Sequence, residues 1–362
     1  MAEWARIVNT TISEYVKGEE VNILRNRKML ALLKSKGRIT FNHAGDKIVK
    51  RVRFKRAPMI GYSDGDTLTF SRRNRWQTSE LDWRGYSVTD AMSKKEKLMN
   101  KSKEQIIDIY SDLGKALMDD IDDQFGEEFY VDGNASGNSK RIHGIESFFG
   151  ISAAAANGYV GLPNDTYAGL STTLGNYGGN WAQSGGTTTW PTGTGDAHYD
   201  FWSPTVILYD NASFSHATDN WANNATEALR YGIIKSKKNR SKKGVLDYIT
   251  LEDELYRIFL GANDSRQQIN VNRGQAVGLV ALGFTDVVNF DGVDVTYEYG
   301  MPSGVGYGLN CDQMELMSLQ GQLFVVEGPD YDNATKSWRT SVDYFGNLWC
   351  NPKFQTKWRL SP

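Results

Sequence analysis

Between Lys47 and Phe70 the chain alternates. Val52 and Phe54 interleave with Arg51, Arg53 and Lys55, a period of two that predicts a strand with one apolar and one charged face. Asp64-Gly65 is a tight-turn signal. Leu68 and Phe70 are expected to form the apolar face of the return strand, which makes 47–70 a hairpin. At ~3.3 Å per residue, residues 47–56 would span ~33 Å. A two-stranded ribbon of that reach is marginal alone in water. Its apolar face must lie on its own chain or on a neighbour.

The period then changes. Across 94–129, Ile106, Tyr110, Leu113, Leu117, Ile121 and Phe125 recur every three or four positions, the stripe of a long amphipathic helix. Thirty-six helical residues would reach ~54 Å. Gly114 and Gly126 are places for a bend or a close approach. Residues 1–36 look partly helical and then basic. Residues 133–200 are rich in Gly and Thr, as in NYGGNWAQSGGTTTWPTGTG, and predict long loops with a few short strands.

Order returns at Ser203. PTVILY, from Pro204, predicts a buried strand, and Phe214, Ala217, Trp221, Ala225 and Leu229 predict a helix capped by Ser213. A second helix is expected from Thr250, with Asp253 at the capping-box position and a stop at Gly261. FDGVDVTYEY, Phe290 to Tyr299, reads as strand, Asp-Gly turn, strand. Further strands are expected at Met314–Gln320, Gln322–Glu327, Trp338–Phe345 and Phe354–Leu360. The order is arm, hairpin, long helix, loops, then a mixed region, an α+β class.

Composition adds little until charge is mapped. The 362 residues are 40% apolar, with 41 basic and 43 acidic side chains and a net charge of −2. A dedicated nucleic-acid binder usually carries a basic balance. The near-zero total hides two opposed blocks. From Arg25 to Arg75 there are fifteen bases and three acids; from Glu104 to Asp132 there are ten acids and one base, Lys115. Opposite blocks on two long, thin elements are suited to meet. A third run, Lys235 to Gly244, holds six bases in ten residues.

Candidate chemistry is sparse. Cys311 and Cys350 read as small buried residues and not as a disulfide framework. The start of the chain lacks an apolar signal region, and no run approaches the ~20 apolar residues of a membrane span, so a soluble chain made in a cytoplasm is expected. Asn-x-Ser/Thr triplets, as at Asn9, Asn134, Asn211 and Asn333, are then turn chemistry and not glycan sites. The four histidines, His43, His143, His198 and His216, fall in no metal-ligand spacing. There is no nucleophile elbow and no phosphate loop. Gly304, Gly306 and Gly308 fit a bend in or between strands, and Asp64-Gly65-Asp66 lacks the other ligands of a calcium loop. No enzyme, cofactor or metal is expected. Two readings from other classes stay open on residues alone: a nucleic-acid module using 25–75, and a carbohydrate-binding or hydrolytic protein using the ten tryptophans.

Taken together, these segments resemble the major capsid proteins of tailed bacteriophages, of the Hong Kong 97 type. LLKSKGRITFNHAGDKIVKRVRF, Leu32 to Phe54, is similar to that family's passage from arm to extended loop. The acidic helix 94–129 resembles its spine helix. TYAGLSTTLGNYGGNW, Thr166 to Trp181, is similar to a segment that follows the spine, and NFDGVDVTYEYGMPSGVGYGLN, Asn289 to Asn310, to a late hairpin and bend. The likeness covers most of the chain from about residue 25. It lacks the long N-terminal extension that some members use as scaffold, and 133–200 has room for an insertion.

The resemblance implies an arm (1–36), an extended loop (37–90), a peripheral domain with the spine helix (91–200), an axial domain (201–320) and C-terminal strands returning to the peripheral domain (321–362). It implies a shell protein that forms hexamers and pentamers around double-stranded DNA, in a virion assembled in the bacterial cytoplasm. A separate scaffolding protein, a portal and a cement protein are the further partners, packaged DNA is held by non-specific contact, and no membrane is involved. The expected contacts between copies set the basic hairpin (Lys47, Lys50, Arg51, Arg53, Lys55, Arg56, Phe54 and Phe70) against the acidic helix (Asp112, Asp119, Asp120, Asp122, Asp123, Glu127 and Glu128) of a neighbour. Trp76 and Trp83 would add burial. Lys237, Lys238, Arg240, Lys242 and Lys243 would form a loop facing DNA or lining a capsomer opening.

Overall fold

The computed structural model describes residues 28–54, 60–72, 74–95, 117, 124–157, 160–173, 201–210, 214, 220–238, 246–264, 286–321 and 324–362. Two sheets organise them, and the architecture is α+β.

The chain enters through α1 (Lys28–Ser35), which buries Met29, Leu30, Ala31, Leu32 and Leu33. Gly37, at φ 63°, ends it. The Gly37 amide donates to the Lys34 carbonyl at 3.0 Å and the Arg38 amide to that of Leu33 at 2.7 Å, a Schellman cap. Lys36 ties this end to Asp247 at 2.5 Å and to Asp312 at 3.5 Å.

The chain then forms β1 (Ile39–His43), β2 (Lys47–Arg53), β3 (Trp76–Asp82) and β4 (Arg84–Ser93). Lys94 and Lys95 begin a helix, and Leu117 and 124–128 are helical too. Of the expected apolar stripe, Leu117 and Phe125 are buried. Ile106, Tyr110, Leu113 and Ile121 lie outside the described residues. A 3-10 turn at Ile145–Phe148 leads to β5 (Ile151–Asn157), β6 (Val160–Pro163), β7 (Thr166–Tyr167) and β8 (Leu170–Ser171), the short strands expected in the glycine-rich stretch. Residues 174–200 lie outside the described ones.

Next come β9 (Thr205–Leu208), α2 (Trp221–Lys238), β10 (Tyr248–Leu251), α3 (Asp253–Asp264), β11 (Val288–Phe290), β12 (Val293–Tyr297) and β13 (Gly306–Leu309). Both expected helices are displaced. The α2 cap is Asn220, whose Oδ1 accepts from the Asn223 amide at 3.1 Å; Ser213 lies outside the described residues. Thr250 belongs to β10, and α3 passes Gly261 without stopping. Thr250 is fully buried and its backbone pairs on both sides, so the capping role passes downstream. Asp291 and Gly292, at φ 49° and 84°, make the two-residue turn expected between β11 and β12.

The larger sheet runs β11-β12-β10-β13-β17-β9-β6-β5, where β17 is Thr356–Arg359. Every residue of β9, β10 and β13 is buried. A strand reads as a continuous buried run when both sheet faces are covered. Helices α2 and α3 cover one face, on Ile207, Ile249, Leu251 and Trp358. Aromatic residues from 129–149 cover the other, where Tyr130 stacks on Tyr307 at 5.5 Å and Phe149 lies 5.8 Å from it. Trp358 donates its Nε1–H to the Ala228 carbonyl at 2.9 Å. Gly232 and Gly308 lie against this indole and Gly306 against Leu251, and a Cβ on any of the three would intrude on that neighbour.

The smaller sheet runs β1-β14-β16-β15, with β14 at Met314–Leu319, β15 at Val325–Asp332 and β16 at Ser337–Cys350; β4 also pairs with β16. Cys311 and Cys350 are buried free thiols here, as expected.

One buried cation joins the larger sheet to the 3-10 turn. Lys357 Nζ bonds Glu146 Oε1 and Oε2 at 2.5 and 2.6 Å, and the Tyr307 hydroxyl donates to the same carboxylate.

Candidate interaction surface

The ribbon differs from its expected form. β2 pairs antiparallel with β3, from Lys47 opposite Asp82 to Arg53 opposite Trp76. The return strand is therefore Trp76–Asp82 and not the stretch around Leu68 and Phe70. Residues 60–72 form no strand, and Phe70 is 93% exposed. Asp64-Gly65 does turn, with the Asp66 amide donating to the Ser63 carbonyl at 3.1 Å, but it turns within an irregular tip.

Strand alternation sorts the basic residues. Ile48, Lys50, Val52 and then Phe54 share the inner face with Ser79 and Leu81. Ile48, Val52, Phe54 and Leu81 are buried in the chain's own core, where Phe54 meets Phe201 at 5.7 Å. Lys50 is in phase with them, so its charge is met inside. Its Nζ bonds Glu315 Oε2 and lies 4.2 Å from the Trp349 ring centre, while Thr40 Oγ1 donates to Glu315 Oε1 at 3.0 Å. Burial alone would raise the Glu315 carboxyl, but Lys50 and Thr40 hold it below its usual value. Ser79 bridges the same spot, donating to the Lys50 carbonyl at 3.0 Å and accepting from Trp349 Nε1 at 3.2 Å.

The outer face carries Lys47, Val49, Arg51 and Arg53, with Trp76, Thr78, Glu80 and Asp82 across from them. Lys47 lies 3.5 Å from Asp82 and 3.9 Å from Glu80 at the base of the ribbon. Farther out, Arg51 and Arg53 are exposed beside Val49 and Trp76, both more than half exposed. Ile60, Tyr62 and Leu68 in the 60–72 segment are exposed as well. Trp76, expected from the sequence to add burial between copies, lies on this outer face; Val49 was not singled out, although the parity that separates Lys50 from Arg51 also picks it out. Trp83 donates to the Gly45 carbonyl at 2.9 Å. Lys55 and Arg56 lie outside the described residues.

On the acidic side, Glu128 is engaged within the chain. It pairs with Arg141 and accepts from the Tyr86 hydroxyl at 2.6 Å. Glu127 is exposed and packs against Gly300. Asp112, Asp119, Asp120, Asp122 and Asp123 lie outside the described residues. In the third basic run, Lys237 and Lys238 belong to the last turn of α2 and not to a loop; Arg240, Lys242 and Lys243 lie outside the described residues. The helix persists there because Gly232, Ile233 and Ser236 keep its inner face buried.

Among the described residues no group of three His, Cys, Asp or Glu is placed to hold a metal ion, and no helix is long and apolar enough to cross a membrane. No family model and no curated protein matches the sequence. Solved structures do match. The capsid asymmetric unit of cyanophage A-1(L) shares 15% identity at a TM-score of 0.58, covering 94% of this chain and 94% of that one. The chain has the Hong Kong 97-type capsid fold. The same capsid fold relates it to the capsid of an empty GTA particle, at 10% identity and a TM-score of 0.52 over 92% of this chain and 97% of that one. The capsid of the native GTA particle matches at 9% identity and a TM-score of 0.51, over 92% of this chain and 90% of that one.

Proposed function

We propose that the chain is a major capsid protein whose copies form hexamers and pentamers and tile an icosahedral shell around phage double-stranded DNA. The observation that carries this reading is a likeness to a cyanophage capsid subunit that runs through 94% of the chain. In this reading the protein is structural and catalyses nothing.

The outer face of the ribbon is the surface offered to a neighbour. Arg51, Arg53 and the following Lys55 and Arg56 bring positive charge, and Val49, Trp76 and Phe70 bring apolar area. The acceptor is the acidic helix of an adjacent copy, including Asp112, Asp119, Asp120, Asp122, Asp123 and the exposed Glu127. Lys50, Phe54 and Glu128 already have partners in their own chain, so they position these surfaces and do not bridge copies. An exposed ion pair contributes ~0–1 kcal/mol and weakens with salt. Closed symmetry repeats it around each ring, and charge then sets partner and register more than affinity. Two of the basic hairpin residues, Lys47 and Lys50, face the chain's own carboxylates, which favours a protein partner for the ribbon over nucleic acid.

A separate scaffolding protein, a portal and a cement protein complete the assembly, which takes place in the host bacterial cytoplasm and yields a virion. The end of α2, with Lys237 and Lys238, and the basic residues after it face packaged DNA or a capsomer opening. Sedimentation velocity and negative-stain microscopy of the purified chain test the reading. Rings or closed shells are expected. A species that stays at the monomer mass of 40.6 kDa at every concentration, alone and co-expressed with its scaffolding partner, would overturn it.

A further inference from the structure

The two strands that flank β16 present outer edges built in different ways. β4 and β15 pair with the same stretch of β16, as at Val342, which lies between Val88 and Val326. They therefore sit on opposite sides of it. β15 carries devices that keep an edge from pairing: Pro329, which has no N–H, a register shift between Glu327 and Asp330, and the acids Glu327, Asp330 and Asp332. β4, RGYSVTDAMS, has no proline, no register shift against β16, and one acid, Asp90. Among the described residues no strand pairs with its other side. A long, regular, open edge is a template for another strand.

The ladder fixes which groups face outward. The Lys94 amide donates to the Lys336 carbonyl at 2.9 Å, one step beyond Ser93 opposite Ser337. Even-numbered residues of β4 thus form the hydrogen-bonded pairs with β16, and Gly85, Ser87, Thr89 and Ala91 turn N–H and C=O away from it. All of these are exposed. The Ala91 amide donates to Asp90 Oδ1 at 2.6 Å, which places that carboxylate at the open edge.

This edge is complementary to itself. In an antiparallel pair of two β4 strands centred on Ser87, the outward residues meet: Ser87 faces its own copy and Gly85 faces Thr89. Tyr86 then lies opposite Val88, and Arg84 opposite Asp90, as the closer non-hydrogen-bonded pairs. Aromatic–β-branched and opposite-charge pairs are both favourable across strands. Arg84 Nε is buried with no hydrogen-bond partner among the described residues. Centring the pair on Tyr86 instead sets Asp90 against Asp82, and centring it on Val88 sets Asp90 against Tyr86. An apolar hollow of about 90 Å³ beside Tyr86 and Val88, lined also by Phe125, Phe324, Val342 and Tyr344, leaves room for the partner's side chains.

We propose that two copies of the chain join their smaller sheets edge to edge through β4, antiparallel about Ser87. The contact is separate from the outer face of the ribbon and stands whether or not the copies build a shell. A pair of strands alone is marginal in water. The free chain is therefore a monomer that samples the pair, and a covalent trap reads it.

Ser87→Cys supplies the trap. Paired residues at this position have Cα atoms about 5.5 Å apart, within the reach of a disulfide. Cys311 and Cys350 are buried and do not compete. Oxidation of the full-length, unassembled Ser87→Cys chain by oxidised glutathione should accumulate a covalent dimer on a non-reducing gel. Thr89→Cys should give about tenfold less, because its Cα lies about 13 Å from that of its own copy in this register. Thr89→Pro and Asp90→Arg, each added to Ser87→Cys, should lower the dimer yield about tenfold and leave the circular dichroism spectrum unaltered, since the Thr89 N–H makes no bond to β16 and proline is accepted on an edge. Equal yields from Ser87→Cys and Thr89→Cys would overturn the proposal. So would a Ser87→Cys yield unmoved by both added substitutions.

Discussion

Lys50 Nζ sits 4.2 Å above the ring of Trp349 while it ion-pairs with Glu315, so this cation is part of the chain's own packing. Its neighbour Arg51 points to solvent on the other face of the ribbon. Adjacent basic residues should therefore fail in different ways. Lys50→Ala leaves a largely buried carboxylate without its cation and should lower monomer stability by about 1–3 kcal/mol. Arg51→Ala should change it by less than about 0.5 kcal/mol. Urea unfolding of the unassembled chain separates the two. The Lys50 contribution is also acid-sensitive. Because the Glu315 carboxyl is held low, this stability is present above the unfolded carboxyl's titration and is lost as pH falls through the folded one.

The outer face predicts the opposite phenotype. Changing Arg51, Arg53 and Lys55 to Glu reverses charge where the proposed contact lies and leaves the inner face intact. The triple variant should remain a soluble monomer with wild-type thermal unfolding and should build no shells by microscopy. Normal shells from this variant would remove charge as the source of register. In wild type, shell yield should fall as salt is raised, since exposed pairs are screened beyond ~10 Å at 0.1 M.

The difference between these two residues also marks how far the sequence could be read. Alternation through 47–54 was visible, and it gives β2 correctly. The return strand was not, because Leu68-Thr69-Phe70 and Trp76 to Asp82 both alternate. What decides between them is tertiary: Leu81 enters the core, Ser79 meets Trp349, and the Glu80 amide donates to the Ala168 carbonyl at 2.9 Å. None of those partners is near in sequence. The same holds for Glu128, which is one of a run of acids in the sequence but is held by Arg141 and Tyr86 in the fold. The Asp291-Gly292 turn needed no distant partner, and it was legible.

His143 gives a pH prediction with a defined sign. Burial and then the Arg84 charge push its imidazole down to about 4, against Asp82 and a bond to Asn347. Its Nδ1 lies 3.0 Å from Asn347 Nδ2, while Asn347 Oδ1 accepts from the His143 amide at 3.0 Å. A proton on Nδ1 would face a donor. The unfolded chain takes the proton first, so stability from the neutral ring is complete above about 6.5 and is lost toward about 4, by at most about 3 kcal/mol. Asp165 works the other way. Burial, with Asp132 and Glu146, pushes its carboxyl up to about 6 against amide bonds from Thr166 and Gly150, so its contribution is lost as pH rises through that value. Wild type and His143→Gln compared by thermal unfolding from pH 7 to pH 4 cancel the Asp165 effect. The variant should be less stable at pH 7 and should lose less on acidification.

Two buried tyrosines separate a satisfied hydroxyl from an unsatisfied one. Tyr344 is 1% exposed and its ring lies among Tyr86, Phe125 and Phe324, yet its hydroxyl has no hydrogen-bond partner among the described residues. The Tyr307 hydroxyl, equally buried, donates to Glu146, which also holds Lys357. Desolvating a hydroxyl without a partner costs ~1–3 kcal/mol, and replacing it with hydrogen removes that cost while the ring contacts remain. Tyr344→Phe should therefore be neutral or raise stability by about 1 kcal/mol. Tyr307→Phe leaves the Glu146 carboxylate one donor short and should lower stability by about 1–3 kcal/mol. Equilibrium unfolding of both variants in urea provides the comparison. A Tyr344→Phe loss as large as that of Tyr307→Phe would mean that the Tyr344 hydroxyl is bonded in solution.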